Sequence, residues 1–364
     1  MECLEKLVWN KYTREELGQL KIEKPDDEIR KRVLGHWDAI AKPIDGMGRF
    51  ETLTAQIGSI IGSDKIDITT KAVIVMCADN GIVEEKISQS GQEVTTAVAK
   101  AMAKKQSVVC KMAEVIGAKV IPVDIGINSN ERIEGVRERK IRRGTENFRR
   151  KPAMTEEEAI RAIAVGINMV YECRRKGYHI AATGELGIGN TTTSSAVAAA
   201  LLKCEAGEVT GRGAGLSDEG LIRKRQVIDE AVKKYDLRNK DAVAVLAAVG
   251  GLDIAGLAGV CIGGAVYHMP IVLDGVISMT AALLAERIVP GTKAYFIPSH
   301  KGKEPAVAKL MGELEIEPVI AADMALGEGT GAVMMLSLLD MALQIYHSGA
   351  TFSDVLIEQY KRNL

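Results

Sequence analysis

From Lys71 onward, short uninterrupted apolar runs alternate with longer segments of helical periodicity. Val73-Ile74-Val75-Met76-Cys77-Ala78 has no polar break, which predicts a strand covered on both faces, and Asp79-Asn80-Gly81 ends it as a turn. A helical segment from Val94 to Ile116 follows, then a strand from Lys119 to Asp124 and a charged excursion from Asn128 to Lys151. The arginines of that excursion, Arg137 to Arg150, read as a solvated loop before a binding patch. Thr155 to Lys176 has an acidic first turn and helical spacing. It leads into a third apolar run, Tyr178 to Ala182.

A glycine-rich stretch, Thr183 to Thr193, separates that run from an Ala/Ser/Val helix, Ser194 to Leu202. A second glycine loop, Gly211 to Gly215, precedes helices Asp218 to Tyr235 and Asp241 to Val249. The alternation then resumes. Helices Gly251 to Tyr267, Val276 to Ile288 and Val307 to Leu314 are interleaved with runs Pro270 to Leu273, Ala294 to Ile297 and Pro318 to Ala322. A last helix runs from Ala332 to Tyr346. About six buried runs alternating with helices predict an α/β fold, a parallel sheet covered on both faces. Residues 1–65 read instead as helices of mixed polarity, broken by turn chemistry at Lys42 to Arg49. In such a sheet ligands lie beyond the carboxyl ends of the strands. The polar turns fall there: Asp79 to Gly81, Asp124, Thr183 to Thr193, Asp274-Gly275, Pro298 to His300 and Leu326 to Gly331.

Composition narrows the function classes. The 364 residues suit one large domain or two modest ones, and 47% apolar content supplies a core. Aromatics at 4% offer little for stacking single-stranded nucleic acid, and a net charge of −1 gives no attraction to nucleic acid or anionic membrane. Residues 242–266 are apolar for long enough to span a bilayer, but Gly250-Gly251 and Asp253 interrupt them, so a buried helix pair is expected. Scattered cysteines without a C-x-x-C pair, and a start containing Glu2, Glu5 and Lys6, point to reduced thiols and a cytoplasmic protein.

The glycine-rich stretch carries the chemistry. Gly184-x-x-x-x-Gly189-Asn190-Thr191 has P-loop spacing with Asn190 in place of the lysine. A triphosphate wants that charge, whereas a monophosphate can be held by backbone amides at a helix start and one distant cation. Asn190 and Thr191 are expected to cap the helix. Lys224 is a candidate cation, or a lysine facing water. Glu185, beside the cradle, is catalytic, structural or water-binding. Glu328 sits between Gly327 and Gly329 before a helix, walled by Met324 and Leu326. There it acts as a base of raised pKa, or complements the helix dipole. His300 reads as a satisfied polar residue before a ligand or acid. Asp79, Asp124 and Asp274 end strands without His/Cys partners at ligand spacing, so no metal site and no cofactor are expected.

Together these stretches resemble one family, the nicotinate-nucleotide:dimethylbenzimidazole phosphoribosyltransferases of cobamide lower-ligand assembly. The matching segments are Lys42-Pro43 through Glu51, Val75 through Gly81, Gly184 through Thr192, Val249 through Asp253, Leu273-Asp274-Gly275, Ile297 through His300 and Leu326 through Gly331. The resemblance implies a Rossmann-like catalytic domain over 66–345, a small helical domain from 1–65 and 346–364, and a homodimer, with a heterodimer of paralogues as the variant. It implies transfer of phosphoribose from nicotinate mononucleotide to 5,6-dimethylbenzimidazole or a related aromatic base; the alternatives are a phenolic or purine base, or a nucleotide-binding partner subunit without activity. It places the general base on Glu328 and a second active-site carboxylate on Glu185. Nucleotide contacts fall on Gly187, Ile188, Gly189, Asn190, Thr191, Lys224, Asp274 and Gly275, and base contacts on Ser90, Val98 and Leu326; Met76 is a further candidate for the base pocket, and Met76 and Ser90 taken as single residues read as packing before pocket. The chain departs from the family pattern at Val98, where a glutamine is usual, and at Lys301-Gly302-Lys303, which replaces a small polar run.

Overall fold

A computed structural model describes residues 12–361. Six parallel strands form one sheet in the order β3-β2-β1-β4-β5-β6. They are β1 (Lys71–Ala78), β2 (Lys119–Gly126), β3 (Arg137–Glu138), β4 (Ile180–Leu186), β5 (Ile271–Val272) and β6 (Phe296–Ile297). β1 and β4 pair in register from Lys71 opposite Ile180 to Cys77 opposite Leu186. The order reverses at this pair, since β2 and β3 lie on one side of β1 and β4 to β6 on the other. That reversal opens a crevice at the carboxyl ends of β1 and β4, the place where open α/β sheets bind ligands.

The N-terminal part supplies α1 (Arg14–Gly18), α2 (Asp27–Ala39) and α3 (Arg49–Ile61). Among the strands run α4 (Glu93–Ala103), α5 (Val108–Val115), α6 (Glu156–Arg175), α7 (Asn190–Leu201), α8 (Ala206–Val209), α9 (Asp218–Lys234), α10 (Ala242–Val249), α11 (Leu252–Val266), α12 (Val276–Ile288), α13 (Ala306–Leu314) and α14 (Thr330–Ser348). One face of the sheet packs on α6, α11 and α12, with Ile74, Met76, Ile163, Ile254 and Leu284 fully buried. The other face packs on α3, α4, α5 and α14, with Val73, Val75, Ile57, Val109 and Leu336 fully buried. β1 is therefore buried at every position, as its unbroken apolar run requires. The two chain ends meet: Ala41 donates to Ala350 O, Phe352 to Ala39 O, and Ile40 bridges Thr351. The core of these helices is continuous with the sheet face that carries Val73 and Val75.

Several expectations are corrected. The helix expected over Val94 to Ile116 is two helices, α4 and α5, separated where Lys105 takes φ 58°. β4 continues past Ala182 through Leu186, so Thr183 to Leu186 is strand. Pro318 to Ala322 makes only a single bridge, Ile320 with His300. The sixth strand is Arg137–Glu138, an exposed edge inside the charged excursion. Four of the arginines there form ion pairs: Arg139 with Glu172 (2.9 Å), Arg142 with Glu146 (2.6 Å), Arg149 with Glu85 (2.7 Å) and Arg150 with Glu84 (3.1 Å). Residues 242–266 form the buried pair α10 and α11, and no helix among the described residues is long and apolar enough to cross a membrane. Cys3 lies outside the described residues; Cys77, Cys110, Cys173 and Cys261 are buried free thiols, and Cys204 is half-buried.

Candidate active site

At the carboxyl ends of β4 and β5 lies a cavity of about 210 Å³. Its walls include Glu185, Gly187, Ile188, Asn190 and Thr191 on one side and Met324, Leu326, Gly327 and Glu328 on another. Asp274, Gly275 and His300 line it as well. A larger cavity of about 460 Å³ surrounds the start of β2, near Lys119, Ile121, Arg137 and Cys173. It lies at the wrong end of the strands for a ligand crevice, so the smaller, converging site is the functional candidate.

The turn after β4 forms one side of the cavity. Gly189 takes φ 95° as the N-cap of α7, and no side chain caps this helix start. The expected capping by Asn190 and Thr191 is therefore corrected, because both side chains are engaged elsewhere. Asn190 Nδ2 donates to Glu185 Oε2, and Thr191 Oγ1 accepts from Lys224 Nζ at 2.9 Å. An uncapped helix start keeps N–H donors for an anion. Lys224 is fully buried. Its ammonium also donates to Gly211 O at 3.3 Å, and neither partner is charged. Burial lowers its pKa to about 8, with Glu304 pulling the other way. Lys224 thus lies behind the helix start with two neutral oxygens as its hydrogen-bond partners.

The opposite wall is built from strained backbone. Gly327, Glu328 and Gly329 have φ of 85°, 61° and 93°. Left-handed geometry at a non-glycine costs about 1–3 kcal/mol and persists only where the surroundings enforce it. Asp274 enforces it here. Its carboxylate accepts from the amides of Gly329 (3.1 Å), Gly331 (2.8 Å) and Ala332 (3.1 Å), fastening the start of α14. Gly184 lets the turn lie directly on β4, since a Cβ there would meet Glu328 O at 2.6 Å. The result sets Glu328 beside Glu185. Glu328 Oε2 is buried without a hydrogen-bond partner among the described residues. Its pKa is raised by burial and by Asp274, against the backbone N–H of Val109.

Glu185 is buried, and its pKa is pushed up to about 8 by burial and by Asp253, Asp274 and Glu328. Close to it lie two buried polar side chains with no assigned role. Asp253 is fully buried at the start of α11, with Oδ2 unpartnered and its pKa pushed up to about 7 by burial. Asn80 is buried alongside, with Oδ1 also unpartnered. The signal was present: a single carboxylate inside the apolar run Leu252-Asp253-Ile254.

The candidate residues thus divide. Glu185, Gly187, Ile188, Asn190, Thr191, Asp274, Gly275, Leu326 and Glu328 share one cavity. Gly189 lines its small continuation toward Ser88 and Leu216. Lys224 reaches the site through Thr191. Asp274 is a wall residue whose carboxylate is already committed to three amides. Met76 packs in the core against Gly256 of α11, Val98 is half-buried on α4, and Ser90 is half-buried in the loop before α4; none of the three lines the cavity. Asp79 and Asp124 are held separately, by Asn128 N at 2.8 Å and Lys140 at 3.1 Å. Among the described residues no His/Cys/Asp/Glu group has metal-holding geometry.

Comparison with known proteins places these features in context. A family model described as phosphoribosyltransferase matches residues 22–357. The nicotinate-nucleotide–dimethylbenzimidazole phosphoribosyltransferase of Acetivibrio thermocellus is 43% identical over 349 residues, covering 96% of this chain and 98% of that one. The protein of the same name from Clostridium acetobutylicum is 42% identical over 336 residues, covering 92% and 96%. The crystal structure of CobT from Thermus thermophilus matches with a TM-score of 0.87 at 33% identity, over 92% of this chain and 100% of that one.

Proposed function

This chain belongs to the nicotinate-nucleotide–dimethylbenzimidazole phosphoribosyltransferase family, and from that premise we propose how its cavity performs the transfer. The enzyme moves phosphoribose from nicotinate mononucleotide to a ring nitrogen of an aromatic base. The C1′ bond to the nicotinate nitrogen breaks, and its electron pair leaves with nicotinate. A lone pair of the base forms the new C1′ bond from the opposite face, giving the α-riboside 5′-phosphate. The N–H proton of the attacking azole goes to Glu328.

Each residue follows from its surroundings. The 5′-phosphate sits on the uncapped start of α7, at Gly187 to Thr191, with Lys224 as its counter-charge. Met324 and Leu326 offer the apolar wall for the base; Leu326 is 51% exposed at the cavity lip. Glu328 has a buried unpartnered oxygen, so it can take a proton without first giving up a hydrogen bond. Glu185, with its raised pKa and its bond from Asn190, is the neutral partner that keeps a second negative charge away from the base. Holding phosphate and base at fixed separation supplies the larger part of the rate. The observation that carries this reading is Glu328 held in left-handed backbone by Asp274, across the cavity from the phosphate turn.

We extend the proposal to a cytoplasmic homodimer. Exposed Met334, Met341 and Ile345 on α14, with Val108 and Val115 on α5, support a self-association face. The test of function is turnover of nicotinate mononucleotide by the purified chain against benzimidazoles, purines and phenols. Nicotinate release with an α-ribosyl phosphate from a benzimidazole is expected. No release with any base would overturn the reading.

A further inference from the structure

Resting on this phosphoribosyl-transfer reading, we propose that His300 is the residue that selects the sugar: its Nε2 accepts a hydrogen bond from a ribose hydroxyl of the mononucleotide. His300 is 4% exposed and lines the cavity. Its Nδ1 lies 3.1 Å from Ser299 Oγ. The Ser299 hydroxyl donates its one hydrogen to Leu273 O. Ser299 Oγ can then only accept, so Nδ1 must carry the proton of that contact. Asp274 Oδ1, 3.9 Å from Nδ1, favours the proton on the same side.

A neutral imidazole protonated at Nδ1 presents Nε2 as an acceptor. Nε2 makes no hydrogen bond to any described residue. It is flanked by glycines: a Cβ on Gly275 or on Gly302 would lie 3.8 Å away. Backbone without side chains on both sides leaves room for a ligand atom to reach this nitrogen. The imidazole is held from behind by Gly331, where a Cβ would fall 1.9 Å from Nδ1. The ring is therefore fixed, its tautomer is fixed, and its free nitrogen faces the ligand space.

An acceptor that opens onto a ligand cavity is matched by a ligand donor. At neutral pH the phosphate and the nicotinate carboxylate of the mononucleotide bring acceptors. Its ribose hydroxyls bring donors. The phosphate turn at Thr191 and the base wall at Leu326 are parts of the same cavity as His300, and the ribose must bridge them. Complementarity thus assigns His300 to the sugar and separates it from the proton-accepting role of Glu328.

The experiment compares kcat/KM for nicotinate mononucleotide and its 2′-deoxy and 3′-deoxy analogues in the parent enzyme, His300→Gln and His300→Ala. In the parent, one analogue should lose about fivefold to a hundredfold, as for an acceptor left without its donor in a closed site. In His300→Ala that penalty should fall to about twofold or less, because the hydroxyl and the nitrogen act as a pair. A deoxy penalty unchanged in the variant overturns the proposal. So does a loss in kcat that is equal for all nucleotides and is rescued by an anionic base, which would make His300 a base. If the variants do not fold, ¹⁵N NMR of the parent decides: the His300 Nε2 signal should move upfield with the ribonucleotide and not with the discriminating analogue. Identical shifts refute the assignment. Absence of turnover by the parent enzyme removes the phosphoribosyl-transfer reading itself, and this proposal with it.

Discussion

Replacing Lys224 with methionine should stabilise the empty enzyme while weakening its hold on the nucleotide. Lys224 is fully buried and, among the described residues, donates only to Thr191 Oγ1 and Gly211 O. Burial brings its pKa from 10.5 to about 8, which corresponds to about 3 kcal/mol between the charged and neutral forms. The sign follows from proton counting. Between about pH 8 and 10.5 the unfolded chain binds more protons than the folded one, so stability rises with pH across that window. At neutral pH the protonated lysine therefore destabilises the empty fold by about 3 kcal/mol, an upper figure once relaxation is allowed. Methionine of similar length removes that penalty, and a gain of about 1–3 kcal/mol in unfolding free energy is expected. A bound phosphate monoester restores the ordinary pKa by supplying the missing anion. Binding should then take up about 0.9 proton near pH 9 and about 0.1 near pH 7, and affinity should fall about tenfold per pH unit above pH 8. Calorimetric titration of nicotinate mononucleotide in two buffers of different ionisation enthalpy reads the proton number directly. Unchanged nucleotide affinity in Lys224→Met, or binding near pH 9 without proton uptake, would refute the reasoning.

Three further outcomes follow from the same geometry. Asp274→Asn keeps the size of the cap but can accept through one oxygen only, so at least one bond among Gly329, Gly331 and Ala332 is lost. About 1–3 kcal/mol of stability should go with it, and hydrogen exchange should accelerate at residues 327–332. Glu185 binds its proton more tightly folded than unfolded, from 4.5 to about 8. Its contribution is fully present below about pH 4.5 and is lost as pH rises through 8. Glu185→Gln should raise the Tm more near pH 8.5 than near pH 5, and an equal change at both would contradict the buried proton. Prolonged EDTA treatment should leave turnover unchanged, since the described residues offer no metal-holding group; magnesium-restored activity would refute this.

What the sequence disclosed, and what it hid, has physical causes. β1 was legible because a strand covered on both faces is written as an unbroken apolar run, and β2 because its apolar stretch Val120 to Val123 leads to the polar turn at Asp124. The edge strand Arg137–Glu138 is exposed on both faces, so no apolar pattern marks it. Pro318 to Ala322 is apolar enough to resemble a strand, yet it makes only one bridge. The break between α4 and α5 passes through Lys104-Lys105-Gln106, with no glycine or proline to announce it. Gly-rich turns located the site because close backbone approach requires them. The burial of Lys224 was readable in retrospect: it stands on the stripe of Gly220, Val227, Ile228 and Ala231 that buries α9. The role of Asp274 was not readable, because its three partners lie more than fifty residues along the chain.

The central claim is that Glu328 takes the proton of the attacking base. Glu328→Gln retains the side-chain size and the enforced turn but cannot accept that proton. The decisive measurement is kcat of Glu328→Gln with a neutral benzimidazole at saturating nicotinate mononucleotide, alongside nucleotide affinity by titration. Loss of a general base costs about a hundredfold to ten-thousandfold. A fall of that size is expected, with nucleotide affinity retained and a smaller defect when the base is supplied as its anion. Near-parental kcat with the neutral base would contradict it.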